Sequence, residues 1–186
     1  MHKLTLTFLL LLAATRLHAG PLEDGFKAYD SGRYQQAMQL WLPLAKQNNP
    51  DALYNVGLLY MKGQGAQKDP RAAIDWFKRA ANYGSLDAAY NLGVLYKTGE
   101  GVFPSNKDAI YWWKQAADAG HAQSQYNMGV MAAYGYGMGK DVDRAIRYWE
   151  QAARQGQPES RQLLYKIYSE GLLGIAPNPQ KAARWK

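Results

Sequence analysis

The sequence predicts an all-α solenoid of antiparallel helix pairs behind a cleaved leader. Three observations predict it. The stretch DAIYWWKQAADAG at 108–120 reads AAIDWFKRAANYG 36 residues earlier and RAIRYWEQAARQG 36 residues later. A companion block, ALYNVGLLYMKGQG, AAYNLGVLYKTGEG and SQYNMGVMAAYGYG, repeats with the same step, and a period in this range marks stacked helix pairs. Finally, Trp112 and Trp113 stand side by side. Helical neighbours point about 100° apart, so this helix must be buried on two sides, as it would be within a stack.

Taken in order, residues 1–19 read as a secretory signal. Lys3 precedes the apolar run LTLTFLLLLAA, and Leu17-His18-Ala19 precede Gly20. The run is too short for a permanent membrane span. The mature chain is therefore expected in the periplasm or outside the cell, with no integral membrane segment. Residues 20–49 form an N-terminal capping pair. Ala37 and Trp41 fall 36 before Ala73 and Phe77, the first helix is short, and Pro43 should bend the second or disturb its last turn.

Three full repeats follow at 50–85, 86–121 and 122–157. Asn49-Pro50, Ser85 and, after the third repeat, Gln157-Pro158 mark starts of first helices. Gly63, Gly99, Gly135 and, in the last pair, Gly171 fall where the first helices need a left-handed cap. Asp69, Ser105 and Asp141 sit one period apart at starts of second helices. Residues 158–186 make an incomplete last pair, in which Leu163 and Tyr165 replace the usual Asn and Gly, and Asn178-Pro179 start its second helix. About nine helices are expected in all. Trp185 aligns with Trp76, Trp112 and Tyr148 and should lie against Leu164, Tyr165 or Tyr168. That arrangement leaves Ile167, Leu172, Leu173 and Ile175 partly open, to meet an acidic partner or another copy of the chain, unless the GLLGIAP loop at 171–177 folds back and closes the end.

The aromatic pairs Trp76-Phe77, Trp112-Trp113 and Tyr148-Trp149 are read as core. One ring of each pair packs inward and the other crosses to the next repeat, with Trp113 assigned to the junction. Gly57, Gly93 and Gly129 leave room for these rings, and the alanine pairs let helices approach. Truncating such a ring should cost about 3–5 kcal/mol.

The chain has no cysteine, so disulfides are excluded and packing must hold an exported domain together. Removing Lys3 and Arg16 with the leader lowers the formal charge from +7 to +5. Residues 20–143 hold 12 basic and 12 acidic side chains, so the excess lies in 144–186. In an exported protein this suggests an acidic partner or envelope surface, or simply a solvated face, and not nucleic acid. After the leader the chain has one histidine, His121, expected at an ordinary exposed cap position. His/Cys metal sites are excluded, and no cofactor is expected. The GQG, GEG and GYG triplets follow helices and are turns, not phosphate loops. No catalytic residue is assigned.

Asn91-Leu92-Gly93, Tyr96, Gly99-Glu100-Gly101-Val102, Ala109, Trp112 and Ala116-Ala117-x-x-Gly120, with their counterparts one period away, resemble Sel1-like repeats, a branch of the tetratricopeptide-type solenoids. The resemblance spans about residues 24–186. It implies a non-catalytic scaffold that binds a protein or peptide on its concave face. By position that face would carry Tyr54, Asn55 and Lys62, then Tyr90, Asn91 and Lys97, then Tyr126 and Asn127. A ladder of Asn amides can donate to and accept from an extended backbone, although the same amides could bond across the repeat junction, and the tyrosines could belong to the core. Resemblance to exported relatives also allows an immunity protein against a secreted toxic effector. More remotely it allows a β-lactam-binding protein, although the cysteines of that group are missing.

Overall fold

The computed structural model describes residues 20–186. The expected signal, 1–19, lies outside the described residues. Ten α-helices follow one another: α1 (Pro21–Asp30), α2 (Tyr34–Lys46), α3 (Pro50–Lys62), α4 (Pro70–Asn82), α5 (Leu86–Thr98), α6 (Asn106–Asp118), α7 (Ala122–Tyr134), α8 (Val142–Arg154), α9 (Pro158–Lys166) and α10 (Pro179–Ala183). A π-helical turn, Ile167–Gly171, extends α9. No strand occurs among the described residues.

Local chemistry explains the helix boundaries. The side chains of Asn49, Asp69, Ser85, Ser105, His121, Asp141, Gln157 and Asn178 each accept an amide N–H from the first turn they precede. Each such cap is worth about 0.5–2 kcal/mol. Gly63, Gly99 and Gly135 close α3, α5 and α7 in the left-handed conformation. Pro43 does not end α2, which continues to Lys46.

Each odd-numbered helix packs against the next even one, and each even one against the following odd helix. The contact within a pair is a ring on a glycine. The indole N–H of Trp113 donates to the Tyr90 carbonyl, and that of Trp149 to the Tyr126 carbonyl, both at 3.1 Å. A Cβ on Gly93 would lie 2.3 Å from Trp113, and one on Gly129 2.3 Å from Trp149. Phe77 fills the same place over Gly57 without a donor. Trp113 therefore locks its own pair first, correcting its assignment to the junction. Its cluster still reaches Met128 and Met131 of α7, whereas Trp112 joins the cluster built from α1–α5. The two neighbouring rings thus serve two sides of α6. Trp76 is only half-buried, with the Arg79 guanidinium 5.1 Å from its ring centre.

The capping pair uses the same lock. The Trp41 indole donates to the Leu22 carbonyl at 3.1 Å, and a Cβ on Gly25 would meet the indole nitrogen at 2.1 Å. The shorter α1–α2 connection hides this in the sequence, because Gly25 precedes Gly57 by 32 residues instead of 36.

At the other end, Trp185 is half-buried against the cluster containing Leu164 and Tyr168. The expected open face is mostly closed. Ile167 is fully buried and Leu173 and Ile175 pack onto the same cluster, because the 172–178 segment folds back. Leu172 stays 38% exposed. The gap lies instead beside Tyr165 and Trp185, as a cavity of about 620 Å³.

Candidate functional site

The first helices of successive pairs, α1, α3, α5, α7 and α9, share one face of the stack. Side chains tie them edge to edge. Lys62 Nζ of α3 donates to the Tyr29 hydroxyl of α1 at 2.7 Å. Asn91 Nδ2 of α5 donates to the Tyr54 hydroxyl of α3 at 3.1 Å. The His121 ring, capping α7, lies 5.2 Å from the Tyr90 ring of α5. Gln157 Nε2, capping α9, donates to Gln123 Oε1 of α7 at 3.4 Å.

Helical spacing lays parallel rows across this face. Asn55, Asn91 and Asn127 form one row and Leu58, Val94 and Val130 another, and all six are half-buried. Asn55 Nδ2 donates to the Asp51 carbonyl of its own helix at 2.7 Å, and Asn91 bridges to Tyr54. Asn127 has no hydrogen-bond partner among the described residues. The ladder therefore divides its roles. Asn91 serves the junction, while Asn127 and the remaining donor and acceptor sites of Asn55 and Asn91 have no hydrogen-bond partner among the described residues. Burial pushes the Tyr54 hydroxyl above its ordinary pKa, partly opposed by the hydrogen bond from Asn91. Burial raises Tyr90 likewise. Tyr126 is half-buried and packs against the C-terminal cluster.

Not every expected residue joins this face. Lys97 turns away, donating to Asn106 Oδ1 at 2.9 Å with its ammonium 5.0 Å from the Tyr136 ring centre. Gly57, Gly93, Gly129, Trp112, Trp113 and Trp149 lie in the buried interior beneath it. Tyr29 belongs to the surface but was invisible to a 36-residue alignment, because the α1–α2 connection is short. The Gly25–Trp41 pairing is the signal that finds it.

His121 differs from expectation in two ways. Its side chain is only 19% exposed, and the fold brings it both a carboxylate and a hydroxyl. Nε2 stands 3.4 Å from Asp87 Oδ1, and Nδ1 stands 2.9 Å from Ser124 Oγ. The row has the residue types of a Ser-His-Asp triad, with the serine on Nδ1 and the carboxylate on Nε2. Ser124 is 0% exposed, so no substrate reaches its oxygen. Nδ1 is also the acceptor that caps α7 through the Ser124 amide at 3.2 Å. Among the described residues no group of three or more His, Cys, Asp or Glu gathers to hold a metal. Nor is any helix among them long and apolar enough to cross a membrane.

The Sel1 repeat family matches residues 50–85, 86–121, 122–157 and 166–185. The chain belongs to this family. A Sel1 repeat protein from Oxalobacter formigenes is similar at 30% identity and TM-score 0.81, over 88% of this chain and 67% of that one. The Helicobacter pylori cysteine rich protein B shares the fold at 19% identity and TM-score 0.54, over 76% of this chain and 96% of that one. A search of curated proteins finds none that matches. The Sel1 repeat is a scaffold for protein interaction. Its helix pairs, seen here in the lock between ring and glycine, present surface side chains at regular steps.

Proposed function

We propose that this chain is a non-catalytic scaffold of the periplasm or extracellular space, which binds a protein or peptide segment on its first-helix face. One observation carries the reading. Asn55-Leu58, Asn91-Val94 and Asn127-Val130 recur on α3, α5 and α7, the first helices of successive pairs, as half-buried amide and aliphatic pairs. Core packing alone does not need an amide there, and an extended segment crossing the helices would meet hydrogen-bonding sites and apolar surface at each step. The concave shape of related solenoids supports the same face. Self-association through the C-terminal end is a second part of the proposal, supported by the cavity beside Tyr165 and Trp185.

Capture from an envelope fraction tests the main reading. Asn55→Glu and Asn127→Glu place a charge in the amide row without touching the aliphatic contacts to the core, and should abolish retention of a partner that wild type holds, while far-ultraviolet circular dichroism stays unchanged. Retention of the same partner by both variants would refute the face. Export is tested by the intact mass of the periplasmic protein, which should start at Gly20.

A further inference from the structure

The second helices form the opposite, outer face, and charge separates between the two. The helices α2, α4, α6, α8 and α10 carry ten basic against five acidic side chains. The first helices carry five basic against six acidic. The basic excess of the sequence is therefore a property of one face.

Within that face a notch of about 380 Å³ opens between α6 and α8, lined by Arg144, Arg147, Tyr148, Gln151, Asp118 and Gln125. The repeats are its internal control. Where the third repeat has Arg147, the first two have Asp75 and Tyr111. Where it has Arg144, they have Ala72 and Asp108. Its buried Gln125 replaces Leu53 and Ala89. The fold is built twice without these groups, so folding does not require them.

The groups suit an anion. Gln125, 5% exposed, forms a rigid wall, donating to the Ala117 carbonyl at 3.1 Å and accepting from Gln155 at 2.7 Å. Asp118, the one carboxylate in the lining, is paired with the exposed Lys114 ammonium, whose pKa that contact raises. Arg144 spends Nε on Asp141 at 3.2 Å, which leaves its terminal nitrogens for another partner. Arg147 is exposed and has no partner among the described residues. Two guanidinium groups, with hydroxyl and amide donors beside them, match the oxygens of a phosphate.

We infer that this notch binds a phosphate-bearing anion, either a soluble phosphate ester or the headgroup of an anionic lipid. The outer face adds attraction at a distance, which salt screens. The test is calorimetric titration with glycerol 3-phosphate and with inorganic phosphate at low salt. Sedimentation with phosphatidylcholine vesicles, with and without phosphatidylglycerol, runs beside it. Saturable binding is expected in at least one arm. Arg147→Gln should weaken it about tenfold, while Arg71→Gln, on the same face but outside the notch, should leave it unchanged. Gln125→Leu, which restores the residue of the first repeat, should weaken binding while keeping the fold. Binding to phosphatidylglycerol vesicles alone assigns a lipid headgroup, and binding of the soluble anions assigns a free ester. Failure to saturate in every arm overturns the inference. So does an equal loss in the Arg71 and Arg147 variants, because that pattern reports a diffuse field and no site.

Discussion

Glycine to alanine inside a helix ordinarily stabilises by about 1 kcal/mol. At Gly93 the sign should reverse. An added Cβ would sit 2.3 Å from Cδ1 and Nε1 of Trp113 and 2.7 Å from Cε2. Carbon atoms in contact rest about 3.5–4.0 Å apart, so the overlap exceeds an ångström. The obstacle is a ring 4% exposed in a packed interior, which cannot swing aside as a flexible side chain could. Overpacking of this kind costs about 1–3 kcal/mol. Displacing the ring also loses its 3.1 Å bond to the Tyr90 carbonyl, worth about 1 kcal/mol. After the helical gain is subtracted, Gly93→Ala should destabilise by about 1–3 kcal/mol. The assay is equilibrium urea unfolding followed by circular dichroism. A double-mutant cycle isolates the cause. In a Trp113→Ala background the clash is gone, and Gly93→Ala should stabilise by up to about 1 kcal/mol. If Gly93→Ala stabilises the wild-type chain, or costs the same in both backgrounds, ring and glycine do not form the lock.

Trp113→Ala alone should cost about 3–5 kcal/mol; a melting temperature within a degree or two of wild type would contradict its place in the core. The alkaline limb of stability should depend on Tyr54 and Tyr90, whose burial raises their pKa above the ordinary 10.0. Their contribution is complete below that value and is lost as pH rises through the folded-state values. Urea midpoints for Tyr54→Phe with Tyr90→Phe should then fall less steeply with alkaline pH than wild type, and identical slopes would reject the assignment. Deleting residues 179–186 removes buried Ala182 and half-buried Trp185 from the last cluster. It should lower stability by about 1–3 kcal/mol, read by thermal melting, and an unchanged melt would mean α10 covers nothing. His121→Ala removes the acceptor for the Ser124 amide and should cost about 1 kcal/mol in the same assay.

The sequence by itself determined the helices and their order. Caps, left-handed glycines and apolar spacing act over a few residues, so Asp69, Ser105 and Asp141 could be read as helix starts from their positions alone. The 36-residue step also determined which residues are equivalent, and hence that Asn55, Asn91 and Asn127 share one row. Only the tertiary structure decided what those residues touch. Equivalence along the chain does not specify a partner across a junction: Asn91 reaches Tyr54, Asn55 turns to its own helix, and the exposed Lys97 bonds to Asn106 at the start of α6. Trp113 was legible as core but not as the lock of its own pair, because a ring's direction depends on where a glycine of another helix opens space. The approach of Asp87 to His121, and of Arg144 and Arg147 to the notch walled by Gln125, was equally hidden. These groups lie on different helices, and the distance between side chains on different helices is set by how the pairs stack, which no single stretch of sequence records.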